Sequence, residues 1–482
     1  MRRKMIALAL LLTLTAPLAA LAQTEGGTLY TDPQGRFTVP IPAGWTDASD
    51  AAGAHFSSPD GAANLYVRAV DGADLAAGMA AALESLFPGW DAEPAQTVQA
   101  PLPNGTWVQD VYIREDGLVI ALGQAAGDSV VVMVAQGQQA ALQAVNPTTL
   151  ATLSGIVLSQ AQLDLPDYIN PDAFTEREVT VGAEGWPLPG TLTVPVGDGP
   201  FPAVVLVHGS GPGDRDQSLG PNRMFRDLAQ GLASQGVAVL RYDKRTRALA
   251  EQVIADPAFT IDSEYVDDAL AGAAFLRTLE EIDPAQVFVL AHSQGVSVAP
   301  RIAAADPEVA GLILLAGLGR PFEVSLNAQL EYQLALAAEH GEEITPQAQA
   351  ALAGLQQIAA NLEAVRAGAD PLETFGDPAA AAYWASVVAA DPLAEVAAVS
   401  VPILVLQGER DYQATMEDFA LWQEALAGRD NVTFISYPAL NHLFMETGET
   451  GTLALPSEYS TVRAFVDAQV INDIAAWILG TG

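Results

Sequence analysis

From residue 174 onward the apolar positions follow two alternating rhythms. Residues 201–207, 237–242, 287–290 and 310–315 are nearly unbroken apolar, β-branched runs. Between them lie segments with helical spacing. Residues 224–234 place Phe225, Leu228, Ala229 and Leu232 on one face, and residues 263–279 and 296–304 repeat the pattern. A strand that is apolar on both sides is covered on both sides, so the alternation predicts a mainly parallel sheet between two layers of helices. Residues 176–181 and 188–194 read as a hairpin ahead of it. The rhythm breaks between Leu315 and Val401. There Leu326, Leu330 and Leu334 form one helical stripe, and a second helix opens at Thr345-Pro346, a cap followed by proline at the first helical position. Leu352, Leu355, Leu362 and Val365 share a face of that helix, and a third covers 379–390. This predicts an all-helical cap inserted at 319–400. The alternation resumes with strand 403–406, helix 416–427, strand 432–437 and a last helix over 461–479.

Upstream the texture differs. Strand-like runs at 37–42, 63–70, 106–113, 118–122 and 130–134, with helical spacing at 74–86 and 138–153, predict a small α+β domain over 23–160. The Pro- and Asp-rich stretch from Asp164 to Asp172 reads as the linker, placed at 161–173. At the start, Arg2, Arg3 and Lys4 precede an apolar run over 6–21 that closes on Ala20-Leu21-Ala22. That is an export signal, cleaved after Ala22. The run is short for a membrane anchor, which takes about 20 apolar residues. No later segment is long and apolar enough to span a bilayer.

Composition narrows the chemistry. The chain has 482 residues, is 50% apolar and carries a net charge of −37, with lysine only at Lys4 and Lys244. Such an acidic surface repels nucleic acid and anionic membranes. Cysteine is absent, which removes disulfides, thiolate catalysis, thiolate metal sites and lipoprotein anchoring. Neither a metal nor a cofactor is expected.

The chemistry concentrates at Ala291-His292-Ser293-Gln294-Gly295. A β-branched run ends in small-x-Ser-x-Gly and passes into a helix, the pattern of a nucleophile elbow. Alanine stands where the first glycine is usual. Serine hydrolysis then needs a base, an acid that orients it, and oxyanion donors. Five histidines are available: His55, His208, His292, His340 and His442. His292 adjoins Ser293 and cannot face its hydroxyl, His340 lies in the inserted helices, and His55 lies in the upstream domain. His442 follows strand 432–437 and is the expected base. Asp411, just after strand 403–406, is the expected acid, with Glu409 as its rival. Asp243 and Asp268 precede the serine and break the order Ser, Asp, His. The oxyanion donors are expected at the backbone N–H of Gln294 and of Ser210, in the glycine-rich loop His208-Gly209-Ser210-Gly211-Pro212. A phosphate-binding loop is the alternative there, and no Gly-Lys-Ser/Thr follows to support it.

These motifs, with Asp214-Arg215-Asp216 and Arg241-Tyr242-Asp243-Lys244-Arg245, resemble the α/β-hydrolase superfamily over 174–482, within its bacterial carboxylesterase subset of dienelactone-hydrolase-like and serine aminopeptidase-like proteins. The resemblance implies an eight-stranded, mostly parallel sheet with a helical cap. It also implies short- to medium-chain ester hydrolysis through Ser293, Asp411 and His442 without metal, and a structural ion-pair network from the charged clusters. Residues 30–45 are similar to PsbP-like α+β domains, which bind or dock. The expected protein is an exported serine esterase acting on a small-molecule ester. A serine peptidase of the aminopeptidase type, with Glu339, Glu342 and Glu343 at the mouth, a thioesterase or acyltransferase, and an inactive binding protein are the alternatives.

Overall fold

The computed structural model describes residues 29–71, 74–102, 105–114, 117–126, 129–158, 165–220, 222–340, 346–461 and 464–481. The export segment expected at 1–22, the first residues of the expected linker (161–164), and Glu342, Glu343 and Thr345 in the cap lie outside the described residues. The chain divides into two compact units, Met1–Leu165 and Pro166–Gly482.

The first unit is built on a seven-stranded antiparallel sheet whose central strands are Ala63–Asp71, Ser129–Gly137, Gly117–Ala126 and Gly105–Arg114. Helix Leu75–Leu86 starts where the Asp74 side chain accepts the Ala77 N–H, and it buries Met79, Ala82 and Leu83 against Val130 and Val132. The opposite face packs Phe56, Leu65, Trp107, Ile120 and Met133 with Phe37 from a small three-stranded sheet. A strand at Gln96–Leu102 extends the sheet beyond the sequence expectation. Its sequence, Gln-Thr-Val-Gln-Ala-Pro-Leu, holds no continuous apolar run to mark it.

The main sheet of the second unit has eight strands: β1 (Phe174–Val181), β2 (Leu188–Pro195), β3 (Phe201–Val207), β4 (Ala238–Tyr242), β5 (Ile282–His292), β6 (Leu312–Leu315), β7 (Ile403–Gly408) and β8 (Val432–Tyr437). They lie in the order β1-β2-β4-β3-β5-β6-β7-β8. The β1–β2 and β2–β4 pairs are antiparallel, and every later pair is parallel. The continuous apolar runs are explained by burial on two faces. Leu404 and Leu406 point into one core with Phe225, Leu228, Ile471 and Ile474, while Ile403 and Val405 point into the other with Ala269, Ile302 and Trp422. Each such side chain contributes about 1.5–3 kcal/mol when fully buried.

Between β6 and β7 the chain forms the helical cap, with helices Phe322–His340, Pro346–Arg366, Pro371–Phe375, Pro378–Ala389 and Pro392–Glu395. Three of these start on Asp-Pro. Asp370, Asp377 and Asp391 cap the backbone N–H of Glu373, Ala380 and Ala394, and proline occupies the first turn. The expected final helix over 461–479 is corrected. Helix Pro456–Thr461 ends, and helix Ala468–Thr481 begins afresh. Between them the Val466 carbonyl accepts the Tyr168 hydroxyl at 2.6 Å, and the Asp467 N–H donates to the Phe444 carbonyl at 2.9 Å, so this backbone serves tertiary contacts instead of a helix. No helix among the described residues is long and apolar enough to cross a membrane.

Candidate active site

The parallel strands end on one edge of the sheet, and the candidate residues follow β3, β5, β7 and β8 there. Ser293 follows β5 directly with φ of 53°, a left-handed conformation rare for a residue with a Cβ. A helical segment, Ser293–Val298 and then Ala299–Ala305, starts at once. The glycine two residues on is a packing requirement. A Cβ at Gly295 would lie 2.4 Å from the His208 carbonyl oxygen. Gly209 in turn is pressed onto the serine, since a Cβ there would lie 3.1 Å from Ser293 Cβ and 3.6 Å from its Oγ. The elbow and the glycine-rich loop after β3 are therefore in direct contact.

Asp411 and His442 come together from the loops that follow β7 and β8. His442 Nδ1 donates to Asp411 Oδ2 at 2.6 Å, and both residues are buried. The carboxylate is fixed by further donors: Gln413 and Ala414 N–H on Oδ1 at 2.7 and 3.1 Å, and Gln407 Nε2 on Oδ2 at 3.4 Å. Gly408 makes the approach of the two loops possible, because a Cβ there would meet the Leu440 and Asn441 carbonyls at 2.5 and 2.6 Å. The rival Glu409 is directed elsewhere and accepts from the Ser436 hydroxyl. Asp243 pairs with Arg215, and Asp268 pairs with Arg245 in a buried ion pair. Ser293 Oγ forms no hydrogen bond among the described residues, and in unliganded sites such a contact often tightens only around substrate.

His292 joins these loops. Its Nδ1 accepts from Gln217 Nε2 at 2.7 Å, and its Nε2–H donates to the His442 carbonyl at 2.9 Å. Gln217 Oε1 also accepts the Gly209 N–H at 3.0 Å. Burial holds His292 far below the ordinary imidazole range, with His442 nearby acting in the same direction, so the ring is neutral. One neutral ring thus connects the glycine-rich loop, the elbow and the His442 loop. Neither the Ser210 N–H nor the Gln294 N–H is used by a backbone or side-chain acceptor among the described residues.

His208 does not face the serine. Its Nε2 donates to the Asp214 carbonyl at 2.9 Å, and its ring packs on Phe225 and Tyr242. The charged clusters form ion pairs around the loop: Arg215 with Glu178 and Asp243, and Arg241 with Glu176 and Asp216. His55 stacks on Tyr66 in the first unit. A cleft of about 260 Å³ opens beside Gln294, between the elbow and the cap. Ile261, Phe322 and Val387 supply its apolar wall, and Arg320 and Arg366 line it with their charges paired to Asp418 and Glu323. Sequence reasoning missed Gln217. Its only local signal in the sequence is its place just after Asp214-Arg215-Asp216, at the end of the loop, and the structure sets it at φ of 47°.

Residues 200–449 match the family model described as "Hydrolase_4: Serine aminopeptidase, S33". The chain belongs to this family of α/β-hydrolases. The S33 match begins just before β3 and ends after His442, so it contains Ser210, Ser293, Gln294, Asp411 and His442. Among curated proteins this S33 member is similar to Esterase EstD of Thermotoga maritima, 38% identical over 331 residues that cover 68% of this chain and 74% of EstD. Among solved structures it is similar to Est1E from Butyrivibrio proteoclasticus, with 15% identity, a TM-score of 0.39, and 63% and 98% of the two chains covered. It is also similar to the esterase domain of a Rhodothermus marinus protein, with 17% identity, a TM-score of 0.37, and 64% and 100% covered.

Proposed function

We propose that this protein is an exported serine esterase that cleaves small carboxylic esters of short to medium acyl length through an acyl-enzyme on Ser293. The observation that carries the reading is the buried Asp411–His442 pair at 2.6 Å, whose His442 carbonyl is bonded by His292, the residue before a serine on a strained strand-to-helix turn. With Nδ1 donating to Asp411, His442 leaves Nε2 free to take a proton. Ser293 Oγ attacks the acyl carbon, and its proton passes to His442 Nε2. The developing oxyanion is received by the N–H groups of Ser210 and Gln294. The tetrahedral intermediate collapses as His442 protonates the leaving alkoxide. Water, deprotonated by His442, then releases the acid and restores Ser293.

The similarity to Esterase EstD favours an ester over a peptide bond, and the apolar wall of the cleft suits an acyl chain. Export rests on the basic, apolar and small-residue segment at 1–22. It is checked by the N-terminal sequence of the protein recovered outside the cytoplasm, which should begin at Gln23.

The decisive experiment compares p-nitrophenyl esters of increasing acyl length with aminoacyl p-nitroanilides, in the wild type and in Ser293→Ala. Ester turnover that disappears in the variant, with a fluorophosphonate adduct found on Ser293 of the wild type, is the expected result. Equal turnover in a folded variant would overturn the reading. Anilide turnover above ester turnover would move it to a peptidase.

A further inference from the structure

The single lysine of the described residues, Lys244, is buried directly beneath the glycine-rich loop. Its Nζ lies 2.9 Å from the Gly209 carbonyl oxygen, 3.0 Å from that of Gly211, 2.6 Å from the Tyr265 hydroxyl and 2.9 Å from Glu264 Oε1. The Tyr265 hydroxyl is within hydrogen-bond distance of the same Gly209 carbonyl, at 3.1 Å, and of the Gln294 side-chain oxygen, at 3.0 Å. Glu264, itself buried, accepts from the Tyr383 hydroxyl of the cap at 2.6 Å and from Thr246 at 3.2 Å.

The Gly209 carbonyl and the Ser210 N–H are two ends of one peptide unit. A cation at the carbonyl oxygen draws electron density along that peptide and leaves the N–H more positive. Hydrogen bonds in such a chain strengthen one another, and a dry site screens the charge little. Holding the loop in place would need only a neutral donor. A buried ammonium is costly to keep, and burial does pull the Lys244 amine down while Glu264 pulls it back up. That expense falls on the Gly209 and Gly211 carbonyls, and the first belongs to the peptide whose N–H the proposed function assigns to the oxyanion.

We propose that Lys244, assisted by Tyr265, is a positioning residue that polarises the Gly209–Ser210 peptide and so strengthens the Ser210 N–H as a donor to the oxyanion. The proposal rests on the reading of Ser293 as nucleophile and Ser210 as oxyanion donor.

Two variants test it. Lys244→Met combined with Glu264→Gln removes the ammonium without leaving a buried carboxylate unpaired. Tyr265→Phe removes one hydroxyl and keeps the ammonium. Three readouts are taken on each folded protein, checked by near-UV circular dichroism: kcat and KM on a p-nitrophenyl ester, inhibition by an arylboronic acid, and inhibition by the carboxylate product. The boronate forms a tetrahedral anion on the serine, whereas the product does not. The expected result for the double variant is a kcat loss of roughly tenfold to a hundredfold, below the 10²–10³ for deleting a donor outright. Boronate affinity should fall by the same factor, with KM and product affinity within about twofold. Tyr265→Phe should show the same split at a smaller loss. Unchanged kcat and boronate affinity in both variants overturns the proposal. So does a loss in which KM rises and product affinity falls in step with boronate affinity, since that means a displaced loop. Failure of a fluorophosphonate to label wild-type Ser293 overturns the underlying reading and this one with it, and is told apart by needing no variant.

Discussion

His442 Nδ1 and Asp411 Oδ2 are 2.6 Å apart, and three further N–H groups hold the same carboxylate. The acid therefore cannot rotate away, and the imidazole it holds is fixed in tautomer as well as direction. Asp411→Asn keeps the shape and loses the acceptor that selects the tautomer. Its kcat should fall by about 10³–10⁴, with KM nearly unchanged. Glu409→Gln should keep wild-type turnover, because Glu409 bonds Ser436 on the surface. Steady-state kinetics on one ester checks both, and a larger loss in the Glu409 variant would exchange their roles.

The positions proposed for Ser293 and Asp411 were legible because each follows a buried apolar run, whereas His442 follows the half-exposed edge strand β8, where Thr433 and Ser436 interrupt the apolar residues. Strand β3 (Phe201–Val207), another apolar run, was read to the residue. The helical cap was legible from the Thr345-Pro346 start and the apolar stripes. The network beneath the loop was not. Lys244 reaches Glu264 and Tyr265 across about twenty residues, and Gln217 reaches His292 across 75. Periodicity reports which face of an element is buried, and it does not report which polar side chain finds which partner. The break before Ala468 escaped for a related reason. Val466 and Asp467 suit a helix locally, yet Tyr168 and Phe444 claim their backbone groups.

Gln217 makes two different contacts, and two substitutions separate them. Gln217→Ala removes both the acceptor for the Gly209 N–H and the donor to His292. Gln217→Glu keeps the acceptor and removes the donor. If the value of Gln217 is to anchor the glycine-rich loop, kcat should fall roughly tenfold in the alanine variant and recover most of that in the glutamate variant. Equal losses would place the weight on the link to His292 instead. The comparison needs only kcat on one ester and thermal midpoints to confirm folding.

Glycine 295 and glycine 354 should respond oppositely to alanine. At Gly295 the new Cβ meets the carbonyls of His208 and Val207 at 2.4 and 3.1 Å, and backbone cannot retreat cheaply. The loop must move off the elbow, so Gly295→Ala should lose about 1–3 kcal/mol of stability and nearly all turnover. Gly354 lies exposed within helix Pro346–Arg366, with nothing within 4 Å of its would-be Cβ. Gly354→Ala should gain up to about 1 kcal/mol through helix propensity and leave activity alone. Urea unfolding of the two variants beside the wild type is the check.

Two buried groups should oppose each other in acid. Burial, helped by the Lys244 charge, holds His208 down to about 4 from an ordinary 6.5. Its fold therefore binds fewer protons than the unfolded chain between pH 4 and 6.5, and its contribution to stability rises with pH through that window. Burial pushes Asp227 up to about 6 from 3.8, against the pull of Arg226. Here the fold binds more protons, and the contribution falls as pH rises from about 4 to 6. Each shift is worth about 3 kcal/mol. Measured against the wild type, Asp227→Asn should gain relative stability from pH 4 to pH 6 and hold it above. His208→Gln should lose relative stability from pH 4 to pH 6.5. Urea midpoints at half-unit pH steps give both difference curves. The two slopes must have opposite sign, and parallel curves would mean that neither group titrates in the fold as its burial requires.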